Sequence, residues 1–84
     1  MNMITIMGFV AGALTTISYI PQALKIWREK YAKGVSILMY TIISIGIFLW
    51  LIYGIEIYSL PIITANAISL ILSILILLGK LKYN

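Results

Sequence analysis

Charged side chains are absent from residues 1–24, 34–55 and 57–79 of this 84-residue chain, and those three gaps govern what it can become. The runs are 24, 22 and 23 residues long. About 20 apolar residues, rising 1.5 Å each, carry a helix across a hydrocarbon core of about 30 Å. Three membrane-spanning helices therefore account for nearly the whole chain. The composition agrees, with 63% hydrophobic and 10% charged residues, where soluble domains carry roughly a quarter charged. The expected fold class is an all-α membrane protein, a single three-transmembrane-helix bundle over residues 1–84. Helix one is expected at about 3–31, helix two at about 36–55 and helix three at about 60–79. Met1-Asn2-Met3 lacks the positive segment of a cleaved signal peptide, so the first run is read as a permanent span.

Several function classes drop out. With no Cys and no His, thiolate and imidazole metal sites and Ser/His or Cys/His nucleophilic pairs are missing. No residues remain for an ATP-driven domain. The expectation is a protein that is not an enzyme and takes no cofactor and no metal. A net charge of +4 could point to nucleic acid, but Lys25, Arg28, Lys30, Lys33, Lys80 and Lys82 all flank apolar runs. They read as anchors at the lipid surface, with no nucleic-acid partner.

All six basic residues sit in the first loop or the tail, and none at the amino end or in the second loop. Lys and Arg are retained on the cytoplasmic side. The amino terminus is thus expected outside and the carboxyl terminus inside, in a multi-pass plasma-membrane protein whose copies pair in parallel. Glu29 and Lys33, four apart, suggest that helix one extends beyond the membrane face. Gly34 can break it, Ser36 can cap helix two, and Pro61 suits the first turn of helix three.

Within uncharged spans the informative residues are polar or conformationally odd. Ala11, Thr15, Ser18 and Gln22 share one face of helix one. Pro21 deprives the Ile17 carbonyl of its donor and is expected to kink the helix. Gly8 and Gly12 form a GxxxG pair, which marks close packing more often than function. Met39, Ile43, Gly46, Trp50 and Tyr53 form a stripe on helix two, with a hollow at Gly46. Asn66, Ser69 and Ser73 share a face of helix three; an amide left unpartnered in hydrocarbon costs roughly 2–7 kcal/mol, so Asn66 should face protein or water. Interhelical glue is the simpler use of such residues, and a belt position the simpler use of Trp50. Trp50 and Asn66, however, are each eight residues from Tyr58 on antiparallel helices and so lie at one depth, about 12 Å from the outer turn. Tyr53 stands about 4.5 Å further out and Met39 about 16 Å further in. A polar layer between two constrictions is the layout of an alternating-access carrier.

In order along the chain, Thr15-Thr16-Ile17-Ser18-Tyr19-Ile20-Pro21-Gln22, Gly34-Val35-Ser36, Met39-Tyr40, Trp50-Leu51-Ile52-Tyr53-Gly54, Leu60-Pro61 and Ala65-Asn66 resemble the SemiSWEET sugar transporters. These are bacterial half-length relatives of SWEETs in the PQ-loop superfamily. The resemblance implies a parallel homodimer with the pathway between protomers, in the inner membrane of a bacterium. It implies sugar binding by Trp50 and Asn66, an outer gate at Tyr53, an inner gate at Tyr19 and Met39, and a hinge at Pro21 and Gln22. Ser18, Ile43 and Gly46 are candidates for lining the pocket. Several members latch the outer turn with an Arg–Asp pair, where this chain has Ile57 and Ser59, with Glu56 the only charge.

The residues themselves favour a neutral, hydroxyl-rich solute, because the spans hold no counter-charge for an ion. A mono- or disaccharide offers hydroxyls to an amide and a C–H face to an indole. With no carboxylate or His in the spans there is no proton relay, and transport is expected to be passive uniport. The alternatives are a PQ-loop carrier of another small metabolite, a holin-like pore-forming protein, and a structural subunit of a larger complex.

Overall fold

The structure, a computed structural model, describes residues 2–83. It is all-α, with α1 at Met3–Glu29, α2 at Ile37–Glu56 and α3 at Leu60–Lys82. All three are long and apolar enough to cross a bilayer, and the chain is a membrane protein. Each helix starts on a side-chain cap that takes up one of the unpaired amides of a first turn. Asn2 Oδ1 accepts from the Thr5 N–H at 2.7 Å, Ser36 Oγ from Met39 at 3.0 Å, and Ser59 Oγ from Ile62 at 3.4 Å. Pro61 lies in the first turn of α3, where its missing N–H costs nothing.

Two ends differ from the reading of the sequence. α1 stops at Glu29, short of residue 31 and well before Gly34, because Lys30 adopts a left-handed conformation (φ 54°, ψ 43°) and returns its N–H to the Ile26 carbonyl. The early turn folds Ala32 into the interior at 1% exposure, where Lys80 Nζ donates to the Ala32 carbonyl at 3.1 Å. Lys33 consequently lies outside the helix, and it cannot pair with Glu29 along one helical face. At the other end α3 runs past residue 79 to Lys82. There the Lys82 ammonium sits 5.8 Å from the Trp27 ring and 5.5 Å from that of Tyr83, and the two rings meet edge to face at 5.4 Å. Cation–π contact and aromatic packing extend the helix beyond its apolar run.

α3 packs against both neighbours while the backbones of α1 and α2 nowhere approach each other. The result is a flattened layer, 43 × 20 × 14 Å, with α3 in the middle. Small residues permit the close approaches. A Cβ at Gly12 would fall 2.6 Å from that of Ala65, one at Gly8 3.2 Å from that of Pro61, and one at Gly54 2.6 Å from Ile62 Cγ2. Hydroxyls tie the same seams: Thr16 Oγ1 lies 2.9 Å from Ser69 Oγ and donates to the Ala65 carbonyl at 3.1 Å, and Ser44 bonds Ser73. Ser69 and Ser73 thus bind α3 to α1 and α2 respectively. They are buried glue, while Asn66 on the same helix has a different setting.

The end of the layer that carries the first loop and the carboxyl tail is held most firmly. Ala23, Ile26, Ala32, Tyr40 and Ile76 form a buried cluster, and Trp27 Nε1 donates to the Leu75 carbonyl at 2.9 Å.

Candidate functional site: a polar groove shared by three helices

Because α3 is recessed between two helices whose backbones stay apart, the half of the layer near the Tyr58 turn carries a groove to which all three contribute. It holds about 310 Å³ and is walled by Ala11 and Thr15 of α1, Trp50 of α2, and Ala65 and Asn66 of α3, with Gly8 and Gly12 at one side. Ligand pockets begin at roughly this size, and here one wall is open. Trp50 and Asn66, set at one depth by counting from Tyr58, therefore do line one groove.

The polar groups in the groove are oriented by their own helices. Asn66 Nδ2 donates to the Ile62 carbonyl at 2.9 Å, which fixes the amide plane and leaves Oδ1 and the second N–H for other partners. Thr15 donates to the Gly12 carbonyl at 3.0 Å, so toward the groove its oxygen is an acceptor. Trp50 is 57% exposed, and its helix neighbours Leu49 and Tyr53 are exposed too. Tyr53, one turn further out, meets it edge to face at 5.4 Å. Gly46, Leu49, Trp50 and Tyr53 line a second, shallow hollow of about 360 Å³ on α2 alone, and a Cβ at Gly46 would meet nothing within 4 Å. The stripe along α2 thus does leave space at Gly46.

Other expected site residues lie elsewhere. Ser18 is exposed and donates to the Thr15 carbonyl; Ile43 packs on the buried Ile26–Ile76 cluster; neither lines the groove. Tyr19 packs edge-on against Tyr40 at 6.5 Å, and Met39 is exposed at the start of α2. Pro21 is exposed within a continuous α1, next to half-buried Gln22. The hydroxyls of Thr15 and Ser18 bond other carbonyls, so neither reaches the one that Pro21 leaves open on Ile17. In the turn between α2 and α3 Ser59 is occupied in capping α3, and Tyr58 takes a left-handed φ of 55°.

Thr16 and Tyr40 enter the sequence reading only as members of quoted segments, without a role of their own, and Ser44 does not enter it at all. Thr16 had a signal: Gly8, Gly12 and Thr16 recur at i, i+4 and i+8, which sets the hydroxyl on the close-packed seam. Ser44 and Tyr40 had none that separated them from lipid-facing neighbours.

Fold and site together define a small membrane protein of three spans, with a largely apolar groove, carrying one amide, one indole and hydroxyls, left open on one side. Residues 3–63 match the sequence model of the PQ loop repeat. Over 81 residues, 96% of this chain and 94% of the other, the protein is 37% identical to the sugar transporter SemiSWEET of Bradyrhizobium diazoefficiens. A solved bacterial homologue of SWEET transporters superposes with a TM-score of 0.93 at 47% identity, covering 99% of this chain and 100% of its own. A SemiSWEET solved in the inward-open conformation gives a TM-score of 0.86 at 31% identity, covering 96% and 87%. The chain belongs to the SemiSWEET family of PQ-loop proteins.

Proposed function

We propose that this protein is a passive carrier of small neutral sugars, working as a parallel homodimer whose pathway runs between two copies of the polar groove. The observation that carries this reading is the meeting of Trp50 and Asn66 in one groove with its fourth side open. A second copy related by an axis along the membrane normal would supply the missing wall and a second indole and amide. The relatives named for sugar transport make a sugar the solute of choice. The indole offers an apolar face to sugar C–H groups, and the oriented amide of Asn66 offers one acceptor oxygen and one N–H to hydroxyls.

Tyr53 sits between this layer and the outer surface and serves as the outer gate, without an ionic latch. Tyr19 and Met39 close the inner side, and Pro21 with Gln22 forms the hinge through which one gate responds to the other. The family member solved open to the inside supports alternation between two such states. The carboxyl terminus is cytoplasmic, as the placement of all six basic residues favours. The absence of charge within the spans makes the movement a uniport.

Counterflow of labelled sugars into proteoliposomes tests the reading. Trp50→Ala and Asn66→Ala are expected to abolish exchange without loss of helicity. Normal exchange by either variant would reject the pocket, and ion leakage through the wild type would identify a pore.

A further inference from the structure

α1 and α3 leave another groove, of about 340 Å³, walled only by Ile20, Ala23, Leu24, Trp27, Leu72 and Leu75. Leu24 is nine residues from Thr15, half a turn around the helix at 3.6 residues per turn. This groove therefore faces away from the Trp50–Asn66 groove and stays open to the bilayer when two copies close the latter. Leu24 also borders an adjoining cleft on α1 that carries Lys25 and Arg28, together with Glu29. From the α3 side, the Lys82 ammonium lies 5.8 Å from the ring of Trp27, itself part of the apolar wall. Three cations and one carboxylate thus rim the inner mouth of an apolar channel. Trp27 is held in place there by its bond to the Leu75 carbonyl.

We infer that this is a binding site for one anionic phospholipid of the inner leaflet, with an acyl chain along the α1–α3 groove and the phosphate at the cationic rim. The charge decides the lipid class. A phosphatidylglycerol headgroup brings an unopposed negative charge to Lys25, Arg28 and Lys82, whereas the choline of a zwitterionic lipid brings a cation to the same place. Basic residues beside a span attract anionic headgroups on the cytoplasmic side.

The chain has two tryptophans, so in Trp50→Phe the emission comes from Trp27 alone. Quenching of that emission is read in vesicles containing brominated phosphatidylglycerol or brominated phosphatidylcholine. A preference of about fivefold for the anionic lipid is expected, the effect of one surface cation. Lys25→Gln, Arg28→Gln and Lys82→Gln should each lower it, and Glu29→Gln should raise it. These four side chains are exposed, so the fold survives their neutralisation. Equal quenching by the two lipids, or a preference unmoved by all three cation variants, overturns the inference. The readout is independent of sugar transport, so it stands or falls apart from the proposed function.

Discussion

Gly12 and Ala65 stand so close that a methyl group on the glycine would lie 2.6 Å from the alanine Cβ. This contact sets how near α1 comes to α3 beside the groove. Gly12→Ala should push the helices apart and cost about 1–3 kcal/mol, as overpacking does. Gly79→Ala should act similarly at the opposite end of the α1–α3 seam, where the added carbon would meet Ile26 Cγ2 and, at 3.2 Å, Trp27 Nε1. Thermal unfolding in detergent measures both, and a midpoint equal to wild type would contradict the packing described.

Gly46 predicts the opposite. Its Cβ would enter open space inside α2, so Gly46→Ala should raise stability by about 0.5–1 kcal/mol, the usual cost of a helix-interior glycine. If the hollow beside Trp50 accommodates solute, filling it with Gly46→Leu should impair exchange of a disaccharide before that of a monosaccharide. Parallel counterflow of the two sugars checks this, and equal loss for both would show that the hollow does not set solute size.

The Thr16–Ser69 pair should be worth about 0.6 kcal/mol, up to about 1.7, as for hydrogen bonds between other membrane helices. Thr16→Val removes two bonds at once, to Ser69 and to the Ala65 carbonyl. Ser69→Ala should then add little in the Thr16→Val background. A double-mutant cycle on unfolding free energy measures the coupling; strictly additive losses would show that the hydroxyls act separately.

Uptake should follow the sugar gradient alone. Between residues 34 and 55 and between 57 and 79 there is no Asp, Glu, Lys or Arg to carry a proton or sense a potential. Imposing a pH gradient or a membrane potential on proteoliposomes should leave the plateau of sugar unchanged. Accumulation above the external concentration would reject uniport. Because the outer turn has no Arg–Asp pair, exchange rates should also vary little with salt, since there is no exposed ion pair to screen.

Much of this was legible in the residues. Charge-free runs marked three spans, Ser36 and Pro61 marked two helix starts, and the count from Tyr58 brought Trp50 and Asn66 to one level. The end of α1 was not legible, because Lys30 takes the left-handed conformation that glycine would ordinarily supply. Gly34, the obvious breaker, instead lies in the loop with a φ of 91°. Asn66, Ser69 and Ser73 lie close on one helical face by periodicity, yet only the serines are bonded to neighbouring helices.

Chain chemistry alone settled that the protein lives in a bilayer, that its spans hold no charge, and which residues are polar there. Those properties depend on the transfer of individual side chains from water and are local. Only the tertiary structure decided that α3 lies between α1 and α2, that Thr16 and Ser44 clamp it, and that Ala11 and Thr15 join Trp50 and Asn66 around a groove. Lipid tails and neighbouring helices are equally apolar, so hydropathy cannot tell a face that meets protein from one that meets lipid. Close fit and paired hydroxyls make that choice, and both depend on which helices are adjacent.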